Sequence, residues 1–510
     1  MTMIPVPSNR PLFWSELIYE LQHLLADNEN KHPYEIYIVG GTVRDMLLRR
    51  PVHDLDFVTP EDGRPIARLI ANAFNGDYYP LDAERKVGRA LIQYQEQAWV
   101  IDVAQLRAPT LEEDLRDRDF SINAMAVNLH DLDHLFDPTD GLGAIDNKQV
   151  MICAEDAIYR DPVRALRAIR MSLTLKYYLA PETKAAIRRD GPEISRVSPE
   201  RVRDELFKLL GKTKPSSAIA LLDHLGLLAL LLPETPTMQG VTQSPPHTLD
   251  VWRHTLSVMD VLDNLLIAFG PRRTDESAAN FGLGMVIFSL AHLRSEIVEH
   301  VQQMWPTERS HHALMMLAAL AHDIAKPITR TVDPDGRIRF FGHPEKGAEI
   351  AEQWGLQLRL SNDEIERLYL IVYHHMRPLL LYSGGELSRR AIYRFWRDLG
   401  AAGVDVCLMS CADYLATYGT TLNQDEWLKF VQNIRTLLEG YYRQREELVS
   451  FPMLLDGRLI MSEFDLEPGP IIGQILDGLR EAQAVKEVQT KHEAMVWVEH
   501  WLAERGKSNP

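Results

Sequence analysis

Runs that read as β-strands are confined to the first third of this chain. YEIYIV, LDFV, RALIQY and WVIDVA all lie between residues 34 and 104, and their β-branched and aromatic side chains suit a pleated, half-buried surface. Helical stretches alternate with them up to about residue 150, which is an α/β or α+β pattern. After Ile158 the strand signals nearly vanish. AIYRDPVRALRAIRMSLTL and PERVRDELFKLL space their apolar residues by three and four, as helices do. The chain therefore predicts an α+β head, a mixed sheet with helices, followed by all-α segments. Residues 12–30 read as an amphipathic helix, 231–250 as a Pro/Thr/Ser-rich connector, and 251–445 as helical and rich in histidine. LEPGPIIGQILDGLR, residues 466–480, reads as a Pro/Gly turn feeding a short helix.

At 510 residues the chain is too long for one core, and roughly 100–200 residues per domain predicts three or four. No segment approaches the ~18 uninterrupted apolar residues of a membrane span. The opening MTMIPVPSNRPLFW lacks a secretory apolar core. Cys407 and Cys411, one helical turn apart, lack two-pair zinc spacing and read as buried small hydrophobes. A reducing cytoplasm is the expected location. The net charge of −17 argues against nucleic-acid binding over the whole surface. Residues 160–214 reverse the trend, with fourteen Arg or Lys against seven Asp or Glu. Such a window could track an RNA backbone or be a solvated helical surface.

YIVGGTVRDMLLRRPVHDLDF, residues 37–57, concentrates the chemistry. Residues i and i+2 of a strand share a face, so Asp54 and Asp56 point their carboxylates the same way. Two such groups repel unless a cation joins them, and Mg²⁺, which also binds substrate phosphates, suits the pair. Gly40 and Gly41 let the backbone approach a triphosphate, and Arg44 adds a fork of donors. Asp-x-Asp also occurs at 117/119, 131/133 and 333/335, so the tripeptide alone carries little. Its context carries the reading.

With those residues in place the sequence resembles the class II tRNA nucleotidyltransferase/poly(A) polymerase family, within the DNA polymerase β superfamily. The resemblance runs in order through IVGGTVRDMLL…HDLDFV, LEEDLRDRDFSINAMA, FDPTDGLGAIDNKQV, RDPVRALRAIRM and SPERVRDEL. It implies a polymerase β-like, five-stranded head. It implies that Asp54 and Asp56 hold catalytic Mg²⁺, that Gly41 and Arg44 contact the incoming nucleotide's phosphates, and that Arg118 also contacts the nucleotide. Asp119 and Asn123 would organise the site and the ribose. Asp161 and Arg164 would read the Watson–Crick edge of CTP or ATP, with Arg167 and Arg170 continuing the same helix face. Positions 161, 164, 167 and 170 step by three and are expected to form a gently drifting stripe along one helix. A carboxylate accepts from the exocyclic amino group that cytosine and adenine share, whereas Arg donates to ring nitrogen and carbonyl. Asp102 in VIDVAQLR is either a third carboxylate of the site or a strand-end charge. Two positions depart from the family pattern: Asp117 stands where the first of two arginines is usual, and Arg160 where Glu is usual.

The second half carries a different set. His-Asp occurs at 53–54, 130–131 and 322–323. The third copy ends the apolar run HHALMMLAALAHDIAKP, where a charged pair needs partners. His254, His343, His374, His375 and Asp413 are available, and imidazole with carboxylate suits a hydrolytic divalent metal. This is similar to the HD-domain metal phosphohydrolases, over about 247–425. The resemblance implies His254, His322, Asp323 and Asp413 as ligands of one metal, a transition ion or Mg²⁺. His343 and His375 would complete a second metal position or bind phosphate. Such a site would cleave phosphomonoesters or 2′,3′-cyclic phosphates; the alternative is a degenerate HD fold kept as an RNA-binding scaffold.

The expected organisation is a helical extension (1–33), a nucleotidyltransferase head (34–153), a helical neck (154–235), an HD domain (247–425) and a helical tail (426–510). The expected activity is addition of CMP and AMP from CTP and ATP to the 3′ end of tRNA, with no membrane and no obligatory protein partner. Poly(A) synthesis, or addition of only CC or only A, shares the same motifs. Rivals of another class are an HD phosphohydrolase with an RNA-binding head and a non-catalytic RNA scaffold.

Overall fold

The computed structural model describes residues 6–7, 12–26, 34–270, 281–383, 385, 387–449 and 451–506. The chain divides into two compact units. One comprises Met1–Glu205 and Leu221–Leu230, the other Leu206–Ala220 and Leu231–Pro510.

The first unit is built on a mixed sheet of β1 (Val6–Pro7), β2 (Tyr37–Val39), β3 (Asp54–Thr59), β4 (Asp77–Asp82), β5 (Val87–Tyr94), β6 (Gln97–Gln105), β7 (Ala126–Asn128) and β8 (Asp131–Phe136). Their order is β1-β8-β7-β2-β3-β6-β5-β4. Among the described residues, only the β3–β6 pairing in this sheet is parallel. The sheet thus has eight strands rather than the expected five. The four runs singled out from sequence are β2, β3, β5 and β6. β4 and β8, DYYPLD and DLDHLF, carry mostly exposed or half-buried positions. Ladder hydrogen bonds define such peripheral strands, and apolar periodicity does not reveal them.

Helices α1 (Glu16–Ala26), α2 (Gly41–Leu47), α3 (Gly63–Ala73), α4 (Leu111–Arg116), α5 (Gly141–Asp146), α6 (Ala157–Arg160), α7 (Arg164–Leu175), α8 (Pro181–Asp190) and α9 (Pro199–Lys212) follow in chain order. α1 buries Leu17, Ile18, Leu21 and Leu25 along one face. It is shorter than the helix expected over 12–30, of which 27–30 lie outside the described residues. α3 packs on β5 and β6. Its first residue, Gly63, comes so close that an added Cβ would stand 2.3 Å from the Val103 carbonyl oxygen.

One expectation is corrected here. Asp161 is not part of the arginine-bearing helix. It is extended, at φ −146° and ψ 92°, in the break between α6 and α7. Pro162 follows, and its ring pushes the preceding residue out of the helical region. Only Arg164, Arg167 and Arg170 share α7, whose opposite face buries Leu166, Ile169 and Leu175.

The second unit is helical, apart from two-residue strand pairs among its described residues. Val251–Phe269 packs against Ala402–Tyr418 and His311–Ala321; His343–Gln357 packs on Asn362–His374. Asp250 caps the first by accepting from the Arg253 N–H, and Ser361 with Glu364 forms a capping box on the last. Cys407 and Cys411 are buried free thiols. A separate small core of Leu455, Ile460, Ile475, Leu479 and Val498 closes the C-terminal residues. The Pro/Gly turn leads into a 15-residue helix, Pro470–Ala484. No single described helix is long and apolar enough to cross a membrane.

Candidate functional site

β2 ends at Val39, and the chain turns at Gly40 with φ 71° and ψ −135°. An L side chain rarely adopts that conformation. An added Cβ there would lie 3.2 Å from Arg118 Nη1 and 3.6 Å from Asp56 Oδ2. The glycine therefore brings bare backbone against one cation and one carboxylate of the expected site.

β2 pairs with β3 only at positions 57 and 58, so the start of β3 lacks a strand on that side. Thr42 takes the place. Its Oγ1 donates to the Asp54 carbonyl at 3.2 Å and accepts from the Asp56 N–H at 3.0 Å. Thr42 is buried, and sequence reading overlooked it because a single threonine in a glycine turn has no periodic signal. On the other side β6 runs parallel, with Asp54 opposite Val100 and Asp56 opposite Asp102. Leu55 and Phe57 point into the core, whereas Asp54 and Asp56 lie on the opposite face of the strand. Asp102 is thus beside Asp56 on the same face, with both of its oxygens held by Arg89 Nε and Nη2 at 2.8 Å. Desolvation raises the Asp56 pKa above the usual carboxylate range, and the neighbouring Asp102 and Asp54 add to it; Arg118 and Arg44 oppose the shift. Carboxylates crowded this way are suited to a shared divalent cation.

The remaining head residues form a linked network. Arg44 donates through Nη1 to Asn123 Oδ1 at 2.6 Å and through Nη2 to Asp45 at 2.7 Å. Asn123 donates to Asp119 at 3.2 Å, and Arg167 Nε lies 3.2 Å from the other Asp119 oxygen. Neither of those last two atoms has a hydrogen bond. Arg170 is engaged by Glu205 at 2.9 Å. Asp161 Oδ2 accepts from Arg201 at 2.7 Å and lies 4.0 Å from Arg164 Nε. The two expected base-reading groups therefore stand together, although only one is on the helix. Arg164 also donates to the carbonyls of Asp117, at 3.1 Å, and Ala157. Arg160 pairs with the carboxylates of Asp117 and Asp156. The basic window contributes exposed Lys184, Arg188, Arg189, Arg196 and Arg201.

In the second unit, five helices bring six residues together. His254 comes from Val251–Phe269 and Asp413 from Ala402–Tyr418. His322 and Asp323 follow His311–Ala321, His343 opens His343–Gln357, and His375 follows Asn362–His374. His322, His343 and His375 share one device: each Nδ1 is 2.7 Å from the carbonyl three residues back. For His343 and His375 that bond fixes the proton on Nδ1 and leaves the Nε2 lone pair facing inward; His322 differs, because Asp323 and Asp413 outweigh burial and raise its pKa. The Nε2 atoms of His343 and His375 then meet at 3.3 Å, an arrangement a cation between lone pairs relieves. His322 Nε2 and Asp323 Oδ2 are buried 3.2 Å apart without forming a hydrogen bond. Asp323 faces both halves of the cluster. Oδ2 is 3.6 Å from His254, while Oδ1 is 3.4 Å from His343 and 3.9 Å from His375. The ligand atoms fall into two groups, His254/His322/Asp413 and Asp323/His343/His375. Asp323 thus belongs with the second pair of histidines as well as the first.

Electrostatics fit cation binding. Burial lowers His375 to about 3 and also lowers His343, so both imidazoles stay neutral and able to ligate. Asp323 is held well below the usual carboxylate range: His322 and Lys326 outweigh the upward push of burial. Lys326 Nζ is 2.6 Å from Asp323 Oδ2 and donates to Gln243 at 2.7 Å. A cavity of about 420 Å³ opens on Asp323, His343 and Asp413, lined also by His247, Lys326, Arg337 and Arg339. His247 packs edge-on against His254, ring centroids 4.9 Å apart. It lies in the stretch read as a connector, which hid it. A second buried set, His300, His311 and Asp405, contrasts with this one. Both imidazoles bond to Asp405 Oδ1, at 2.7 and 2.8 Å, and Arg367 takes Oδ2. There the carboxylate is already satisfied and the group reads as a structural staple.

Comparison with known proteins agrees with both halves. Residues 36–151 match the family model "Poly A polymerase head domain", 177–238 match "Probable RNA and SrmB- binding site of polymerase A", and 251–418 match "HD domain". An A-adding tRNA nucleotidyltransferase of Deinococcus radiodurans is 32% identical, covering 92% of this chain and 95% of its own. A CC-adding tRNA nucleotidyltransferase of Thermus thermophilus is 31% identical, covering 93% and 95%. A CCA-adding enzyme solved with CTP shares the fold, with TM-score 0.60 and 17% identity over 96% of each chain. On this similarity along nearly its whole length, the chain belongs to the tRNA nucleotidyltransferase/poly(A) polymerase family and carries an HD domain in the same polypeptide.

Proposed function

We propose that the head adds CMP and AMP, from CTP and ATP, to the 3′ end of tRNA without a nucleic-acid template. The observation that carries the reading is the β3–β6 register, which sets Asp56 beside Asp102 next to the bare Gly40 turn and Arg118. Asp54, Asp56 and Asp102 would hold Mg²⁺, which when bound supplies charge for the attacking and leaving oxygens of phosphoryl transfer. Arg89 fixes Asp102, and Thr42 fixes the backbone that presents Asp54 and Asp56. Gly40, Gly41 and Arg118 give the triphosphate backbone room and positive charge. Arg44, Asn123 and Asp119 order the sugar side through their mutual bonds, flanked by Arg167. Asp161 accepts from the exocyclic amino group of cytosine or adenine, and Arg164 donates to the ring. Transfer joins the RNA 3′ oxygen to the α-phosphate as pyrophosphate leaves. The exposed arginines and lysines of 184–201 suit the acceptor arm. The work divides among a head (34–153), neck (154–235), HD domain (247–425) and tail (426–510).

A restricted product is the second reading, because relatives that match along nearly the whole chain include an A-adding enzyme and CC-adding enzymes. One assay separates them. Purified protein is offered tRNA ending before CCA, before CA and before A, with labelled CTP or ATP. Incorporation of C, C and A that then halts supports full CCA addition. Extension confined to C or to A selects the restricted reading, and long A tails select poly(A) synthesis.

The HD site would hold a divalent metal through His254, His322, Asp323, His343, His375 and Asp413, which when bound activates water against a phosphoester. Lys326, Arg337 and Arg339 line the cavity with positive charge for the phosphate. Asp54→Ala should abolish incorporation and leave phosphohydrolysis intact; equal loss of both would contradict separate sites.

A further inference from the structure

The two positions that depart from the family pattern are partners. Arg160, the last residue of α6, donates to the Asp117 carboxylate at the end of α4. Its other Nη donates to Asp156, the residue that precedes α6, at 2.9 Å. A second contact reaches the same position from across the break: Arg164, the first residue of α7, donates to the Asp117 carbonyl at 3.1 Å. Arg160, immediately before Asp161, and Arg164, three residues after it, are thus both fastened to residue 117. Asp161 itself has extended backbone; its N–H donates to the Ala157 carbonyl at 3.4 Å, its carbonyl accepts from the Arg164 N–H at 3.0 Å, and its carboxylate accepts from Arg201 at 2.7 Å, so its direction depends on where α6 ends and α7 begins. Residue 117 is followed directly by Arg118, against Gly40, and by Asp119, which Asn123 and Arg167 contact. The anchor for the base-reading segment is therefore the same stretch of backbone that faces the phosphates and the sugar.

From this geometry we propose that Asp117 and Arg160 are a positioning pair for base selection. The pair fixes where α6 ends and so where the Asp161 carboxylate stands relative to Arg164. Neither side chain needs to touch the nucleotide. Both are well exposed, at 44% and 38%. An exposed ion pair contributes little to folding, so breaking it acts mainly on position. The polarity, acidic on the α4 side and basic on the α6 side, is arbitrary for such a purpose. Only opposite signs are required.

The inference rests on the reading of Asp161 and Arg164 as base-reading groups, and charge reversal tests it. Asp117→Arg and Arg160→Glu each place like charges together, while the double variant restores an opposite pair; all three keep the carbonyl that Arg164 uses. Selectivity is measured as the ratio of kcat/KM for the accepted nucleotide to that for GTP, UTP and the other of CTP and ATP, on tRNA ending before the nucleotide to be added. Each single variant is expected to lower the ratio about tenfold, and the double to return it to within about threefold of the parent, the non-additivity expected of contacting residues. Melting temperatures recorded alongside separate this from a stability effect, which would not alter a ratio between nucleotides. An unchanged ratio in the single variants, or no recovery in the double, overturns the inference. Asp161→Ala is run in parallel. If it loses selectivity while the charge variants keep it, only the positioning role falls; if it too keeps selectivity, the base-reading assignment falls and the inference with it.

Discussion

Thr42→Val is the sharpest probe of how the head presents its carboxylates. Valine keeps the volume and loses the hydroxyl that donates to the Asp54 carbonyl and accepts from the Asp56 N–H. β2 does not extend far enough to supply replacements, since its pairing with β3 stops at position 57. The exposed side of Asp54 can recruit water, so one orphaned group is the reasonable count, about 1–3 kcal/mol. At roughly 2–4 °C per kcal/mol for a unit of this size, melting should fall by about 2–12 °C. Activity should fall further than stability. Both carboxylates hang from the two peptide groups that lose support, and a misplacement on the order of 1 Å at a reacting centre costs about 10²-fold. The assay is single-turnover incorporation of labelled CTP or ATP onto truncated tRNA, well below the melting point of every variant. Thr42→Ser keeps the hydroxyl and should stay within about threefold of the parent. If valine and serine variants transfer at the same rate, Thr42 is only filling space and the argument from the missing strand is wrong.

Three other outcomes follow from the geometry. Desolvation, with Asp102 and Asp54 adding to it, raises the Asp56 pKa, so this carboxylate favours folding at pH values below the ordinary carboxylate range and opposes it as pH rises through its raised value. Asp56→Asn should therefore melt higher than the parent at pH 7 in chelator while gaining no stabilisation from Mg²⁺ with CTP; an equal Mg²⁺/CTP shift in both would refute the metal role. Asp405 lies well below the usual range because His311 and His300 outweigh the effect of burial, so its stabilisation is full above about pH 4 and is lost as pH falls through the folded value. Urea unfolding of Asp405→Asn should show a deficit of about 3 kcal/mol at pH 7 that narrows in acid, and a deficit independent of pH would argue against the ion pair. In the HD cluster, His375→Ala should lower bound metal measured by elemental analysis and abolish phosphohydrolysis with incorporation unchanged, whereas undiminished metal content would exclude His375 as a ligand.

The chain reports its own elements where one periodicity dominates. The runs that became β2, β3, β5 and β6 are apolar enough to be read directly, and α7 shows its buried face against its arginines. The pairing of Asp54 with Asp56 on one face follows from strand geometry alone, and so does the need of a buried His322–Asp323 pair for partners. Local sequence could not supply the register that sets Asp102 beside Asp56, because strand pairing is decided between segments more than forty residues apart. Nor could it give Thr42 its role, which exists only because β2 stops short. Asp161 left the arginine stripe through a steric rule acting on one peptide, and its approach to Arg164 and Arg201 comes from how α6, α7 and α9 fold back. The facing Nε2 atoms of His343 and His375 depend on carbonyls that aim each ring. Residue type and spacing determine which chemistry is available. Distance and direction between those residues are long-range quantities, and only packing fixes them.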